Sequence, residues 1–350
     1  MPSEAAASRV PEATALPVAT SGRAPQVSSR AADRSSRAAD RSSRAADPSM
    51  LSRRRLLLDF GLGLAALALP SCRRGAPGVT HGPGDWKELA FEPTPDAPDP
   101  QRALLLAPPG AAKLPVLIAL HGRGEAVRGP EVGARGWRDD YHLDALLRRV
   151  QAPPLTAADL GHLATPQRLA LLNRSLEEEP YRGLCIATPF TPELRDRTVA
   201  GAQPYARFLI DRLLPRVRAE TGVTLSREAT GIDGVSLGGR LALLVGLSNP
   251  DVFGAVGALQ PAVRPEEAPM LSELARDPVM KRGVALRLVS SAADPFLPAI
   301  RVLSERLRRD GIVHELLVTS GPHDYEWNRG PGGAEMVLWH ERVQRGLRAP

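Results

Sequence analysis

Apolar residues downstream of about residue 100 occur in short runs that are separated by longer amphipathic segments. Runs such as Val116–Leu120 are apolar throughout, as is typical of strands covered on both faces of a parallel sheet. The longer segments repeat apolar residues at helical spacing. This alternation predicts an α/β fold, with a mostly parallel central sheet and helices on both faces. The predicted strands are 104–106, 116–120, 185–189, 229–235, 255–259, 285–290 and 313–319, and the predicted helices are 138–150, 205–221, 240–247, 298–309 and 334–346.

The predicted domain covers residues 88–350 and follows a linker at 73–87 that contains several Gly and Pro residues. Residues 151–183 do not fit the alternation of strands and helices. We therefore predict an insertion there, which would fold over the functional site as a cap.

Residues 1–49 are rich in Ala, Ser, Arg and Pro and contain almost no large apolar side chains. Such a segment cannot bury enough apolar surface to offset the entropy cost of ordering. It is expected to be disordered, or untranslated if Met50 is the true start.

Residues 50–72 have the pattern of an export signal. Three arginines at 53–55 resemble a twin-arginine motif, and the apolar run 56–69 is shorter than the about 20 residues of a membrane span. The run ends in a segment that resembles a bacterial lipobox, in which Cys72 would be lipidated, although Pro70 departs from the usual small residue. The pattern predicts a periplasmic or extracellular protein, with membrane anchoring through Cys72 as one alternative and a short buried helix as another.

The net charge of +6 is concentrated at the N-terminus. Residues 1–74 hold 12 Arg and 6 acidic residues, which leaves 33 basic and 33 acidic residues in 75–350. A domain without net charge has no global field to attract phosphate backbones, so nucleic-acid binding is not expected. The sequence contains no zinc-ligand spacing and no P-loop, and neither a metal nor another cofactor is expected.

The segment with the clearest chemical meaning is GVSLGG at 234–239, which matches the Gly-x-Ser-x-Gly pattern of a nucleophile elbow. A strand-like run precedes it and an Ala- and Leu-rich segment follows it. The serine of such an elbow projects from a tight strand-to-helix turn, where flanking glycines avoid Cβ clashes. Ser236 is therefore the predicted nucleophile, and a solvated serine in an ordinary Gly-rich turn is the alternative.

A second motif, HGRGE at 121–125, follows the 116–120 strand directly. Glycines in this loop let backbone N–H groups approach a reacting carbonyl oxygen. The N–H groups of Arg123 and Leu237 are the predicted oxyanion hole, with Gly124 as a substitute. We interpret His121 as a structural residue, and the Arg123 side chain as either a substrate contact or a surface group.

Two further candidates follow the last two predicted strands. Asp294 and His323 lie in loops at the carboxyl ends of strands, in the chain order Ser, Asp, His. His323 would accept the proton of Ser236, and Asp294 would orient the imidazole. Asp324 is the competing acid. Tyr325 and Trp327 are candidate substrate-binding residues, with core packing as the alternative.

These motifs resemble those of the α/β-hydrolase esterases related to esterase D, feruloyl esterases and enterochelin esterase-like proteins. The resemblance covers about residues 100 to 346 and includes the segment GPHDYEW at 321–327. It implies metal-free hydrolysis of carboxylic esters through an acyl-enzyme, but it does not fix the ester. The expected partner is a small-molecule, lipid-linked or carbohydrate-linked ester substrate. An acyltransferase with the same three residues and a non-catalytic binding protein on the same scaffold remain the alternatives.

Overall fold

The computed structural model describes residues 84–94 and 100–350. The predicted low-complexity segment 1–49 and export signal 50–72 lie outside the described residues. Eight strands form one sheet: β1 (Asp85–Phe91), β2 (Gln101–Ala107), β3 (Val116–Leu120), β4 (Cys185–Pro189), β5 (Thr230–Gly234), β6 (Ala255–Leu259), β7 (Ala285–Ser291) and β8 (Glu315–Thr319). The helices are α1 (Arg123–Ala126), α2 (Gly129–Gly133), α3 (Gly136–Asp139), α4 (Leu143–Gln151), α5 (Pro166–Glu178), α6 (Val199–Arg207), α7 (Leu214–Thr221), α8 (Leu237–Ser248), α9 (Ala268–Met280), α10 (Leu297–Arg309), α11 (Tyr325–Trp327) and α12 (Gly333–Gln344).

The strand order is β1-β2-β4-β3-β5-β6-β7-β8. β2 pairs antiparallel with β1 and with β4, and the remaining neighbours pair in parallel. The carboxyl ends of six parallel strands therefore meet at one edge of the sheet. Loops at this edge are where open α/β sheets build their binding sites.

β3 shows why the sheet is covered on both faces. Val116, Ile118 and Leu120 belong to one buried cluster, whereas Leu117 and Ala119 belong to another. Side chains alternate between the faces of a strand, so an uninterrupted apolar run supplies both cores at once. The first core packs against α6 to α10 and the second against α4 and α12.

The helices follow the same logic. α8 follows β5 directly and buries every residue from Leu237 to Leu247, as expected for a helix at the centre of the domain. α4 buries Leu143, Leu146, Leu147 and Val150, which form one apolar stripe at helical spacing. Within the described part of the chain, no helix is long and apolar enough to cross a membrane.

Most predicted strands match the structure within two residues. Two predicted helices and the predicted linker need correction. The predicted helix 138–150 is two helices, α3 and α4, because His142 has a left-handed backbone (φ 51°) between them. The predicted helix 205–221 begins earlier, at Val199, where Thr198 accepts a hydrogen bond from the Gly201 N–H. π-helical residues Phe208–Leu213 then join α6 to α7.

The predicted linker 73–87 is the third correction, because its last three residues belong to β1. This edge strand buries only Leu89 and Phe91 and is otherwise exposed or half-buried, so its sequence has no clear strand pattern. Its backbone pairing with β2 defines it instead.

The predicted insertion 151–183 contains α5, which is attached to α12. Arg168 donates from Nε to Glu335 at 2.6 Å, and Arg342 donates to Ser175 Oγ at 3.2 Å. Leu163 lies against Gly321 in the loop that carries His323, and Leu160 lies against Gly330 in the π-helical segment after α11. Two cavities of the described structure have Ser236 in their walls, and no residue of this segment lines either of them. These contacts do not support the prediction that the segment caps the site.

Candidate active site

Ser236 lies in the turn between β5 and α8. Its backbone has φ 57° and ψ −112°, a conformation that non-glycine residues rarely adopt. The Ser236 N–H donates to Leu259 O at 2.9 Å, and its carbonyl accepts from Ala262 N–H at 2.9 Å. Bonds to the chain after β6 thus hold the strained residue in place, with its side chain half-buried at the carboxyl edge of the sheet.

The elbow glycines have the predicted steric role. A Cβ on Gly234 would lie 2.6 Å from the carbonyl carbon of Gly238, and a Cβ on Gly238 would lie 2.5 Å from Leu120 O. Both obstacles are backbone atoms, which cannot rotate away. β3, β5 and α8 can therefore approach each other this closely only if both positions are glycine.

His323 and Asp294 form a hydrogen-bonded pair beside this turn, with 2.9 Å between His323 Nδ1 and Asp294 Oδ1. The Asp294 side chain is fully buried, and it also accepts from Ser290 Oγ at 2.6 Å and from Phe296 N–H at 3.0 Å. A buried carboxylate with three donors is fixed in position and can orient the imidazole. Asp324, the competing acid, instead accepts from Trp327 N–H at 3.0 Å as the N-cap of α11.

Ser236 and His323 line the same cavity. Within residues 84–94 and 100–350, the structure contains no direct hydrogen bond between their side chains. Catalytic hydrogen bonds are often long or misaligned before substrate binds, so the lack of a direct bond is compatible with the predicted roles of the two residues.

Gln260 holds the histidine loop and is a residue that the sequence prediction missed. Its backbone is left-handed (φ 43°), and its Nε2 donates to Pro322 O at 2.9 Å and to Ser291 Oγ at 2.7 Å. Ser291 Oγ also donates to Pro322 O, at 3.1 Å. The carbonyl next to His323 is thereby bonded to the ends of β6 and β7. No local motif marks Gln260, because its partner lies in a distant loop.

His121 is a structural residue, as the sequence interpretation expected. Its ring is fully buried, with Nε2 accepting from Thr191 N–H at 2.8 Å and Nδ1 lying 2.9 Å from Gly122 O. These contacts fit a neutral ring that carries its proton on Nδ1. Burial lowers the pKa of His121 to about 4.

The loop after β3 brings Arg123 and Gly124, two of the predicted oxyanion donors, towards Ser236. A Cβ on Gly122 would be 3.7 Å from Ser236 Cβ. Arg123 and Leu237 are the first residues of α1 and α8, so neither N–H has an acceptor within its own helix. Gly124 lies one residue further along α1, and all three residues line a cavity that contacts Ser236.

Glu125 and Tyr141 support this loop, and the sequence prediction did not single them out as a pair. The Gly122 N–H donates to Tyr141 Oη at 3.1 Å, and Tyr141 Oη donates to the Glu125 carboxylate. Tyr325 Oη also donates to Glu125, at 2.8 Å. Burial and the neighbouring Glu125 carboxylate raise the pKa of Tyr141 well above its usual range and that of Tyr325 to about 12.

Two cavities meet at Ser236. The first has a volume of about 360 Å³ and contains His323, Tyr325, Glu125, Tyr141 and Asn328 in its wall. The second has a volume of about 250 Å³ and is lined by four arginines and several apolar side chains. A larger cavity of about 480 Å³ lies between α9 and α10, but it includes none of the residues described above. The candidate active site therefore lies at the two smaller cavities, because these contain Ser236.

Trp327 is a correction to the predicted substrate-binding pair. Tyr325 is 41% exposed and lines the first cavity, as predicted, whereas Trp327 is fully buried in the second core. Its Nε1 donates to Thr319 Oγ1 at 2.7 Å. Trp327 thus packs beneath the histidine loop and cannot contact a substrate in the cavity.

The sheet order, the strained serine between β5 and α8 and the ordered Asp–His pair define an α/β-hydrolase fold, as the sequence predicted. Residues 193–316 match the family described as "Putative esterase". The iron(III) salmochelin esterase of Escherichia coli O6:H1 is 28% identical over 151 residues, which are 39% of this chain and 37% of that protein. The chain thus matches little more than a third of that relative's length. These similarities confirm the resemblance to the esterase group.

Solved structures show the same fold. A ferulic acid esterase aligns with a TM-score of 0.55 and 16% identity, covering 74% of this chain and 98% of the other. FphF, a fluorophosphonate-binding serine hydrolase of Staphylococcus aureus solved with substrate bound, aligns with a TM-score of 0.51 and 14% identity over 74% of this chain and 99% of its own. Identities this low establish the shared fold.

Proposed function

We propose that this protein is a serine hydrolase that cleaves carboxylic esters through an acyl-enzyme on Ser236. The observation that carries the proposal is the 2.9 Å hydrogen bond between His323 and the buried Asp294, next to a cavity that His323 shares with a strained Ser236. The similarity to esterases supports the reaction class.

The proposal gives each group a role. Asp294 accepts the Nδ1–H of His323, which leaves Nε2 free to take the proton from Ser236 as its Oγ attacks the ester carbonyl. The N–H groups of Arg123 and Leu237 would stabilise the oxyanion, and each such donor is typically worth about 3 kcal/mol. His323 then protonates the leaving alcohol, and water attacks the acyl-enzyme in the second half of the reaction.

The experiment that tests this proposal is active-site labelling of the protein with a fluorophosphonate, read by intact mass. The reagent reacts with an activated serine without requiring knowledge of the substrate. We expect one adduct per chain on wild type and none on Ser236→Ala, together with hydrolysis of 4-nitrophenyl esters by wild type alone. Ser248→Ala, a serine at the far end of α8, is the matched control and should label like wild type.

A folded wild-type protein that neither labels nor hydrolyses any ester would exclude the hydrolase and leave a binding protein on this scaffold. Labelling by the fluorophosphonate without net ester hydrolysis, together with transfer of the acyl group of an ester substrate to an added alcohol, would indicate an acyltransferase instead.

Export is also a proposal, and it rests on the sequence pattern of residues 50–72 alone. Fractionation of cells expressing the full chain tests it. Recovery of the unprocessed protein in the cytoplasm alone would contradict export, and an unchanged membrane fraction for Cys72→Ser would contradict lipidation.

A further inference from the structure

The second cavity at Ser236 is unusually rich in cationic side chains. Its wall contains Arg123, Arg197, Arg240 and Arg264, and we call it the arginine cavity. These residues come from α1, the loop after β4, α8 and the loop after β6. Four separate segments thus place guanidinium groups around one space of about 250 Å³ that reaches the nucleophile.

Acidic partners surround the arginine cavity but do not line it. Glu193 accepts from Arg123 Nε at 3.0 Å and lies 3.4 Å from Arg197 Nη2. Glu267 accepts from Arg240 Nη2. These bonds leave both Nη groups of Arg123 without a protein partner among the described residues. Each guanidinium carries five N–H donors, so donors remain available to a ligand.

Arg264 is the least compensated of the four arginines. Its one ion pair within the described chain is with Glu266 at 4.0 Å, and its side chain is 63% exposed. The four arginines therefore have three carboxylate partners, Glu193, Glu266 and Glu267, which leaves a net positive charge at the cavity.

The two cavities differ in charge. Glu125, Asp324 and the shared Arg123 line the first cavity, whereas no acidic residue lines the arginine cavity. An anionic group is therefore matched better by the arginine cavity than by the first cavity. The arginine cavity also has an apolar part made by Leu194, Leu241 and Phe296, and the Phe296 ring centroid lies 5.3 Å from that of His323. It therefore suits a hydrocarbon group that ends in a charge.

We propose that the arginine cavity binds a carboxylate carried by the substrate, so that the preferred ester is anionic on one side of its scissile bond. This inference rests on the proposed ester hydrolysis and specifies its substrate class. Planar guanidinium groups bind carboxylates with two parallel hydrogen bonds, which fixes orientation as well as charge. The carboxylate can belong to the acyl half or to the alcohol half of the ester. Each possibility is therefore tested with its own pair of esters.

The test compares two pairs of esters at pH 7.5. Mono-4-nitrophenyl adipate and its methyl ester place the charge in the acyl half, and 4-acetoxybenzoate and its methyl ester place it in the alcohol half. We expect wild type to prefer the anionic member of one pair by about tenfold or more in kcat/KM, as charge-assisted hydrogen bonds would give. The pair that shows the preference identifies the half that enters the arginine cavity.

The double variant Arg197→Gln/Arg264→Gln should lose most of this preference, measured as the ratio of kcat/KM on the anionic ester to kcat/KM on the neutral ester of the same pair. Its control, Arg148→Gln/Arg308→Gln, removes the same charge from exposed positions outside both cavities and should keep the preference.

Two outcomes would overturn the carboxylate site while leaving the hydrolase intact. They are equal rates on anionic and neutral esters for wild type, and a preference that survives in Arg197→Gln/Arg264→Gln. Failure of the hydrolase itself is recognised separately, because wild type would then neither label with a fluorophosphonate nor hydrolyse the neutral esters.

Discussion

Tyr141 joins the loop after β3, which carries the proposed oxyanion donor Arg123, to a buried carboxylate through a single hydroxyl group. It accepts from the Gly122 N–H and donates to Glu125, whose side chain is 1% exposed. A buried N–H that loses its acceptor costs about 1–3 kcal/mol, and the loop can avoid that cost only by moving. The backbone of Arg123 is the next part of the loop that such a movement would displace.

We therefore expect Tyr141→Phe to lower kcat on a neutral ester by about 10- to 100-fold with a smaller change in KM, because the oxyanion donor is used mainly in the transition state. Steady-state kinetics and the rate of fluorophosphonate labelling measure this effect. Tyr325→Phe is the comparison variant, since it removes the other phenol from Glu125 but keeps the bond to Gly122, and its kcat should fall less. A normal kcat for Tyr141→Phe would show that Tyr141 does not position the loop.

Residues with a local signature could be predicted from the sequence, and the structure brings them together. Ser236 lies within a glycine pattern, and Asp294 and His323 each follow an apolar run, so short windows point to them. Glu125 and Gln260 act through partners far away in the chain, Tyr325 and Pro322. Such contacts exist only after folding, and no pattern within a window encodes them.

At the scale of elements, a buried ion-pair network attaches α5 to α12 and to the sheet. Arg287 on β7 donates to Glu335 at 2.8 Å, and Arg168 on α5 donates to the same carboxylate. The side chains of Arg287 and Glu335 are 2% and 1% exposed. Loss of one partner leaves the other charge buried and incompletely paired, since only the half-exposed Glu315 remains near Arg287, at 3.3 Å.

Glu335→Gln should therefore lower the free energy of unfolding by about 3–5 kcal/mol. Urea denaturation followed by circular dichroism measures it. Glu305→Gln is the matched control, because its pair with Arg308 on α10 is exposed, and it should change stability by less than about 1 kcal/mol. Equal effects of the two substitutions would mean that the buried network does not stabilise the fold.

The same network also links the predicted insertion at 151–183 to the rest of the domain in a way that the sequence pattern does not indicate. An irregular segment after the first major helix looks like a cap when only its hydrophobic pattern is considered. The hydrophobic pattern does not indicate the pairing of Arg168 with Glu335, because each is an ordinary charged residue in its own helix. Regular strands such as β3, β4 and β6 were predicted correctly because burial on both faces requires a continuous apolar run.

For the whole molecule, the titration of buried groups predicts how stability depends on pH. His121 has its pKa lowered to about 4 by burial, below the value of about 6.5 expected in the unfolded chain. Between these values the unfolded state binds more protons than the native state. The stabilisation from a neutral His121 is thus complete above about pH 6.5 and is lost as the pH falls toward 4. The half-buried His314, whose pKa burial also lowers, acts in the same direction.

We expect the unfolding free energy to decrease by about 3 kcal/mol from His121 alone between pH 6.5 and pH 4. Urea unfolding at several pH values and constant ionic strength measures the total. An NMR titration of the His121 imidazole identifies its share, because this ring should remain neutral at pH 5. Stability that stays constant from pH 6.5 to pH 5, or a His121 ring that titrates near 6.5, would contradict the prediction.

The meeting of two cavities at Ser236 has a consequence for the second half of the proposed reaction. Once the alcohol product departs, the compartment that held it is vacant while the acyl group still fills the other. The incoming nucleophile then enters through the vacated compartment. If the acyl half carries the carboxylate, the acyl group occupies the arginine cavity and the vacated compartment is the first cavity, bordered by Glu125 and Tyr325. If the alcohol half carries the carboxylate, the vacated compartment is the arginine cavity. Under the proposed mechanism, the charge of the departing group would therefore determine which acceptors compete with water for the acyl-enzyme.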